Sequence, residues 1–248
     1  MKKLFYIFLI VFVQFACGPQ TTKTLIENTL PQKDTLPHNA QLPRDSSFFE
    51  KQFVKAGLVN IRDFDTNIRV VLLYNTETNF IGKNFYNGLN QCYLPCAVAT
   101  KLNNAQKYLK SAFPYYNLIV FDATRPLHVQ KMMWDSLKLA PVVKYDYIAR
   151  PDQYSLHNYG AAVDIGIINQ DGVLLDMGTP FDFFGELAHP KFEADNLANG
   201  SLSKIAYCNR ILLRKTMQKA GFYPISSEWW HFNACNKVFA AENFTLIP

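Results

Sequence analysis

The chain has 248 residues, enough for one large domain or two small ones, and 49% of them are hydrophobic, ordinary for a packed globular core. Its formal net charge of +5 is mild. The basic residues are scattered rather than bunched, which argues against a nucleic-acid partner.

Residues 1–17 read as a targeting segment. Lys2 and Lys3 precede a continuous apolar run from Leu4 to Val13, and about ten apolar residues are too few to cross the ~30 Å hydrocarbon core as a helix. The pattern suits a secretory signal over 1–16. Cys17, directly after Ala16, resembles the lipobox cysteine of bacterial lipoproteins, which is lipidated and becomes the new N-terminus. The expectation is an exported, periplasmic protein anchored to the membrane through Cys17, with plain secretion as the alternative. From Gly18 to about Ser47, Pro19, Pro31, Pro37 and Pro43 punctuate a stretch of Thr, Asn, Gln and Ser. Such a segment buries too little apolar area to offset the entropy of ordering it, and it reads as a tether. One domain is expected over 48–248.

Ile68 to Tyr74 is β-branched and apolar, which predicts a buried strand followed by a polar loop. Apolar residues at helical spacing (Val98, Leu102, Ala105, Leu109) predict a helix from Ala97 to Phe113. Asn117 to Asp122 reads as a second strand. It runs into Ala123-Thr124-Arg125-Pro126, where Pro126 biases Arg125 toward an extended backbone and opens a helix from Leu127 to Leu137. The third strand, Ala161 to Ile168, alternates. Val163, Ile165 and Ile167 point toward a core; Ala162, Asp164 and Gly166 point the other way, so Asp164 has tiny neighbours and room for a metal and substrate. Asp171-Gly172 suits a hairpin turn. A helix from Lys204 to Ala220 stops at Gly221, and Trp229 to Phe232 is strand-like. There is no repeat and no nucleotide-binding glycine motif. The irregular alternation of elements predicts an α+β domain with a central, largely antiparallel sheet flanked by helices.

Four cysteines follow Cys17: Cys92, Cys96, Cys208 and Cys235. Two disulfides would fit an exported chain, with the pairing open, and reduced thiols are the alternative reading. The paired Cys-x-x-Cys spacing of a cysteine zinc site is missing.

Two clusters carry the chemistry. Ser155-Leu156-His157-Asn158-Tyr159-Gly160-Ala161-Ala162-Val163-Asp164 and Glu228-Trp229-Trp230-His231 together offer two imidazoles, a carboxylate ligand and a spare carboxylate. A catalytic zinc site needs that inventory: three protein ligands, an open position for water and a general base. Gly160 permits a tight turn, so that His157 before it and Asp164 on the strand after it converge. Glu228 and His231 would face opposite sides of a regular strand, so Glu228 is expected at the end of a loop and His231 on the strand, with the metal site on the sheet. Of the other histidines, His38 falls in the tether, His128 reads as a surface or supporting residue, and His189 is an alternative third ligand.

Ser155-x-His157-x-x-Gly160-x-Ala162-x-Asp164 followed by Glu228-x-Trp230-His231 resembles the zinc D-alanyl-D-alanine dipeptidase family of the vancomycin-resistance type. Tyr74 to Lys83, Phe121 to Pro126, Met177 to Glu186 with His189, and the Trp229-Trp230 pair extend the likeness from about Val70 to Phe232. The resemblance implies a single Zn2+ ion held by His157, Asp164 and His231, with Glu228 as general base for the attacking water. It implies Arg125 at the developing oxyanion and Ser155 at the substrate carboxylate. Asp182, with Tyr74 or Tyr86, would grip the substrate's free ammonium. The implied reaction is hydrolysis of D-Ala-D-Ala to D-alanine, outside the cytoplasm, with a small dipeptide and the membrane as the partners. An ammonium buried against Asp182 disfavours longer peptides, whose amide leaves the carboxylate unpaired. The alternatives are a zinc D,D-carboxypeptidase acting on peptidoglycan stem peptides and a non-catalytic zinc-binding module.

Overall fold

The computed structural model describes residues 47–140, 144–145 and 148–248. The expected leader, Cys17, His38 and the tether up to residue 46 lie outside the described residues. The first element, α1 (Phe48–Lys55), opens with a reciprocal cap. The Ser47 side chain accepts from the Glu50 N–H, and the Glu50 carboxylate accepts from the Ser47 N–H. Phe49 and Phe53 are buried from this helix.

Two short strands, β1 (Val59–Asn60) and β3 (Tyr93–Leu94), pair antiparallel beside the main sheet. The main sheet has five strands in the order β2-β4-β5-β7-β6. These are β2 (Arg69–Val70), β4 (Asn117–Asp122), β5 (Ala162–Ile168), β6 (Tyr223–Pro224) and β7 (His231–Asn233). The β2–β4 pair is parallel and the other three pairs are antiparallel. The domain is α+β with a largely antiparallel sheet, as the sequence implied. Its helices are α2 (Cys96–Ala112), α3 (Leu127–Ser136), α4 (Glu193–Ala198), α5 (Lys204–Lys219) and α6 (Lys237–Asn243). Helix α2 packs on β4 and α5. The fully buried Gln106 pins it there, accepting from the Leu118 N–H at 2.8 Å and donating to Asn117 Oδ1 at 2.8 Å.

Several expectations need correction. The strand expected from Ile68 to Tyr74 pairs only at Arg69–Val70 and then turns into a 3-10 helix over Leu73–Asn75. That turn buries Tyr74 against Phe80 and Phe181, packing that outweighs the β-propensity of the run. The strand expected at Trp229 begins at His231, and both tryptophans are buried in the bend before it. All seven residues of β5 are buried, so its small-residue face is covered too. A Cβ on Gly166 would lie 2.8 Å from Leu174 and 3.0 Å from Phe121, so this glycine makes room for side chains rather than for a ligand. Of the two readings left open for Cys92, Cys96, Cys208 and Cys235, the structure has the reduced one, with all four as free thiols.

Candidate active site

The site is assembled where β4, β5 and β7 end together. Asp164 on β5 and His231 on β7 are directly opposed across the ladder, so sheet register alone sets their separation. His157 arrives on a 3-10 turn, Leu156–Tyr159, capped by the Ser155 hydroxyl, which accepts from the His157 N–H at 3.3 Å. Gly160 closes that turn with φ +62°. A Cβ there would stand 2.6 Å from Thr124 Oγ1 and 2.7 Å from a Pro95 ring carbon, so both the conformation and the space require glycine.

Each imidazole is tied by one ring nitrogen to an acceptor, which turns the other nitrogen to the centre. His157 Nδ1 donates to the Ala123 carbonyl at 2.6 Å, and His231 Nε2 donates to Asn233 Oδ1 at 2.8 Å. A carbonyl oxygen only accepts, so in the neutral imidazoles His157 Nε2 and His231 Nδ1 carry the lone pairs, and His231 sheds a proton to offer its own. These atoms and Asp164 Oδ1 lie 3.3 Å, 3.4 Å and 3.0 Å from one another. Donor atoms about 2 Å from a tetrahedral ion sit about 3.3 Å apart, so the three side chains fit a zinc ion in both donor type and spacing. Burial disfavours the Asp164 charge, but the two imidazoles outweigh it and hold the carboxyl below the usual carboxylate range. Burial works against the His231 cation, yet Asp164 pushes that imidazole up to about 9.

Two more groups face this cluster. Glu228 lies in the bend before β7, its Oε2 3.9 Å from His231 Nδ1, and burial raises its carboxyl above the ordinary value while His231 opposes the shift. Arg125 follows β4 in an extended segment and is buried, with Nη2 3.9 Å from Asp164 Oδ2. Its Nε donates to Asp122 Oδ2 at 2.8 Å, Nη2 donates to the same oxygen, and the guanidinium carbon lies 5.1 Å from the centre of the Tyr74 ring. The Tyr86 hydroxyl donates to the other Asp122 oxygen at 2.6 Å, so Tyr86 steadies the arginine's partner and does not reach the cleft. The Tyr74 hydroxyl donates to the Asp182 carboxylate at 3.0 and 3.1 Å. Burial, then the nearby Asp164 charge, lifts the Asp182 carboxyl well above its ordinary value.

Tyr74, Arg125, Ser155, His157, Asp164, Asp182, Glu228 and His231 all line one cleft of about 300 Å³, together with Trp230 and Phe184. The sequence therefore named a set of residues that the fold does bring together. His189 does not join them; it stacks on Phe192, ring centres 5.8 Å apart. His128 stacks on Phe49 and meets the Pro248 carbonyl through Nδ1 at 2.8 Å.

Three supporting residues escaped the sequence reading. Asp122 sits one turn's spacing before Arg125, and Asn233 lies two residues after His231 on the same face of β7; both intervals were readable. Asn158 was not. Its side chain accepts from the Ser155 N–H and donates to the Arg125 carbonyl at 2.8 Å and to Gln130 Oε1 at 3.0 Å, partners that only the tertiary fold supplies.

A family model described as D-ala-D-ala dipeptidase matches residues 54–247. The chain is 30% identical over 193 residues to the D-alanyl-D-alanine dipeptidase of Escherichia coli (strain K12), covering 77% of this chain and 92% of that protein. It is 30% identical over 195 residues to the protein of the same name from Enterococcus faecium, covering 72% and 92% of the two chains. A further D-alanyl-D-alanine dipeptidase, from Enterococcus faecalis (strain ATCC 700802 / V583), is 28% identical over 192 residues, 70% of this chain and 89% of that one.

Proposed function

Because the chain belongs to the D-ala-D-ala dipeptidase family, we propose that it is a zinc-dependent hydrolase that splits free D-Ala-D-Ala into D-alanine. The observation that carries this reading is that a metal-ligating trio, a half-buried acid, a buried arginine and Asp182 all line one small cleft. His157 Nε2, His231 Nδ1 and Asp164 would hold the ion. Zinc, when bound, supplies a Lewis acid that polarises the scissile carbonyl and makes water acidic enough to attack near neutral pH.

The chain's own groups do the rest. Glu228 takes the proton from the attacking water and returns it to the leaving nitrogen, and a carboxyl raised by burial is suited to holding that proton between the two events. Arg125, its guanidinium aimed by Asp122, stands at the developing oxyanion, where such a donor is worth about 3–4 kcal/mol. The Ser155 hydroxyl accepts from the His157 N–H, which leaves its own proton to donate to the substrate carboxylate. Asp182 and Tyr74 receive the ammonium, and a peptide bond at that position would leave the aspartate without a counter-charge.

The test is a panel of D-Ala-D-Ala, the matching L,L and mixed dipeptides, and a stem pentapeptide, offered to the zinc-loaded protein. The expected result is cleavage of D-Ala-D-Ala with the pentapeptide spared. Equal cleavage of both would favour the carboxypeptidase reading. Glu228→Ala is expected to keep its zinc and lose about 10²–10⁴-fold in turnover; unchanged turnover refutes the assignment of Glu228 as the base. The leader-like residues 1–17 support placing the enzyme outside the cytoplasm, anchored through Cys17. Cell fractionation that recovers it from the cytosol overturns that placement.

A further inference from the structure

Asp182 sits on a long loop, and its backbone is in the left-handed region with φ +59°. A non-glycine residue holds that conformation only where its surroundings enforce it. The contacts that anchor the two ends of this loop converge on one side chain of α5. Arg210 is 1% exposed, and its guanidinium reaches both ends of the loop at once. Nε donates to the Met177 carbonyl at 2.6 Å and Nη1 donates to the Leu187 carbonyl at 3.0 Å. Those two carbonyls bracket the segment 178–186, with Asp182 at its middle. A planar fork with fixed donor directions can staple two strands of a loop in a way that a single ammonium cannot.

The same guanidinium connects to the catalytic end. It lies 6.0 Å from the centre of the Trp229 ring, and the Trp229 Nε1–H donates to Thr179 Oγ1 of the loop at 2.8 Å. Trp229 is the residue after Glu228. Glu193, 3.6 Å from Nη1 and also held by Arg214, supplies the counter-charge that lets this arginine stay buried. One residue earlier, Asn209 donates to the Asp176 carbonyl at 2.8 Å, so α5 grips the loop base twice. Neither Arg210 nor Glu193 lines the cleft.

We propose that Arg210 is the positioning residue for amine selectivity: by stapling the Met177 and Leu187 carbonyls under Trp229, it fixes the distance between Asp182 and Glu228 and so the length of substrate that is read as having a free amino end. The proposal rests on the assignment of Asp182 as the ammonium's partner.

The test uses the full, zinc-loaded chain with two probes: D-Ala-D-Ala as substrate, and N-acetyl-D-Ala-D-Ala, which lacks the ammonium, as a competitive inhibitor. The parent enzyme is expected to bind the free dipeptide in clear preference to the acetylated one. Without that preference the Asp182 assignment fails, and this proposal fails with it. Given the preference, Arg210→Met is expected to raise KM for D-Ala-D-Ala about tenfold, with kcat and the inhibition constant of the acetylated probe changing less than about twofold. Thr179→Val cuts the Trp229 tie without touching the buried ion pair. It is expected to shift KM the same way by about threefold, and it carries the test if Arg210→Met does not fold. Variants that fold, bind zinc and keep the parent's preference overturn the proposal. So does a parallel loss of both probes, which would mark Arg210 as merely structural.

Discussion

In one part of the cleft, His231 and Asp164 face each other across paired strands, and each histidine is oriented by a neighbouring oxygen acceptor. In another part, Asp182 stands on a loop, with its carboxylate held by Tyr74 and the loop anchored by Arg210 and the Trp229–Thr179 tie. The first inherits its geometry from sheet register, which is right or wrong as a whole. The second depends on side-chain contacts that can be loosened by degrees. On the proposed reading, contacts around Asp182 can change while the register that pairs Asp164 with His231 is kept.

The largest effect should come from breaking the metal-ligating trio. His157→Ala is expected to abolish stoichiometric zinc binding and reduce turnover by well over the ~100-fold seen when supporting partners are lost. Elemental analysis with a turnover assay checks it, and a variant that keeps one equivalent of zinc and full activity would show that the trio is not the metal site. Next comes Asn233→Ala, which removes only the acceptor that orients His231. Chelator competition should show zinc held about 10–100-fold more weakly, with the fold intact. An unchanged affinity would mean that the strand alone fixes the ring.

The smallest effect belongs to the Asp182 loop and has the opposite sign. The Asp182 carboxyl sits above its ordinary value in the folded chain, so the folded state binds its proton more tightly than the unfolded one does. The resulting destabilisation is absent below the ordinary carboxylate pKa of about 3.9 and grows as pH rises toward the folded value. Asp182→Asn should therefore raise the Tm of zinc-free protein by a few degrees, about 2–4 °C for each kcal/mol, at neutral pH, and the gain should vanish near pH 4. The same substitution should raise KM for the free dipeptide. A Tm that falls at neutral pH would show that Asp182 stabilises the loop instead of straining it.

Much of this was readable in the chain itself, for identifiable reasons. Strand β4 spans the expected residues as a short apolar run buried on both faces, and α2 and α5 match to within a residue at each end because each buries one face at helical spacing. His157, Asp164, Glu228 and His231 were readable because short local spacings set their geometry: a turn ending at Gly160, and a bend just before a strand. What stayed hidden depends on partners remote in sequence. The run after Val70 looks like a strand until Tyr74 finds Phe80, Phe181 and Arg125 to pack against. Arg210 looks like one more polar residue of an amphipathic helix, since its acceptors are backbone carbonyls 33 and 23 positions away. Backbone acceptors carry no side-chain signature.

The ordering β4-β5-β7 also has a kinetic side. Asp164 and His231 meet across 67 positions, His157 and His231 across 74, and Tyr74 and Asp182 across 108. Contacts between such distant positions form only after the chain has given up loop entropy that nearer contacts do not require. The cleft should thus be among the last features to appear during refolding, with metal uptake trailing the recovery of helical signal. Simultaneous recovery of the two would contradict this. On that schedule a partly folded chain lacks the assembled cleft, which is completed in one step with the finished sheet.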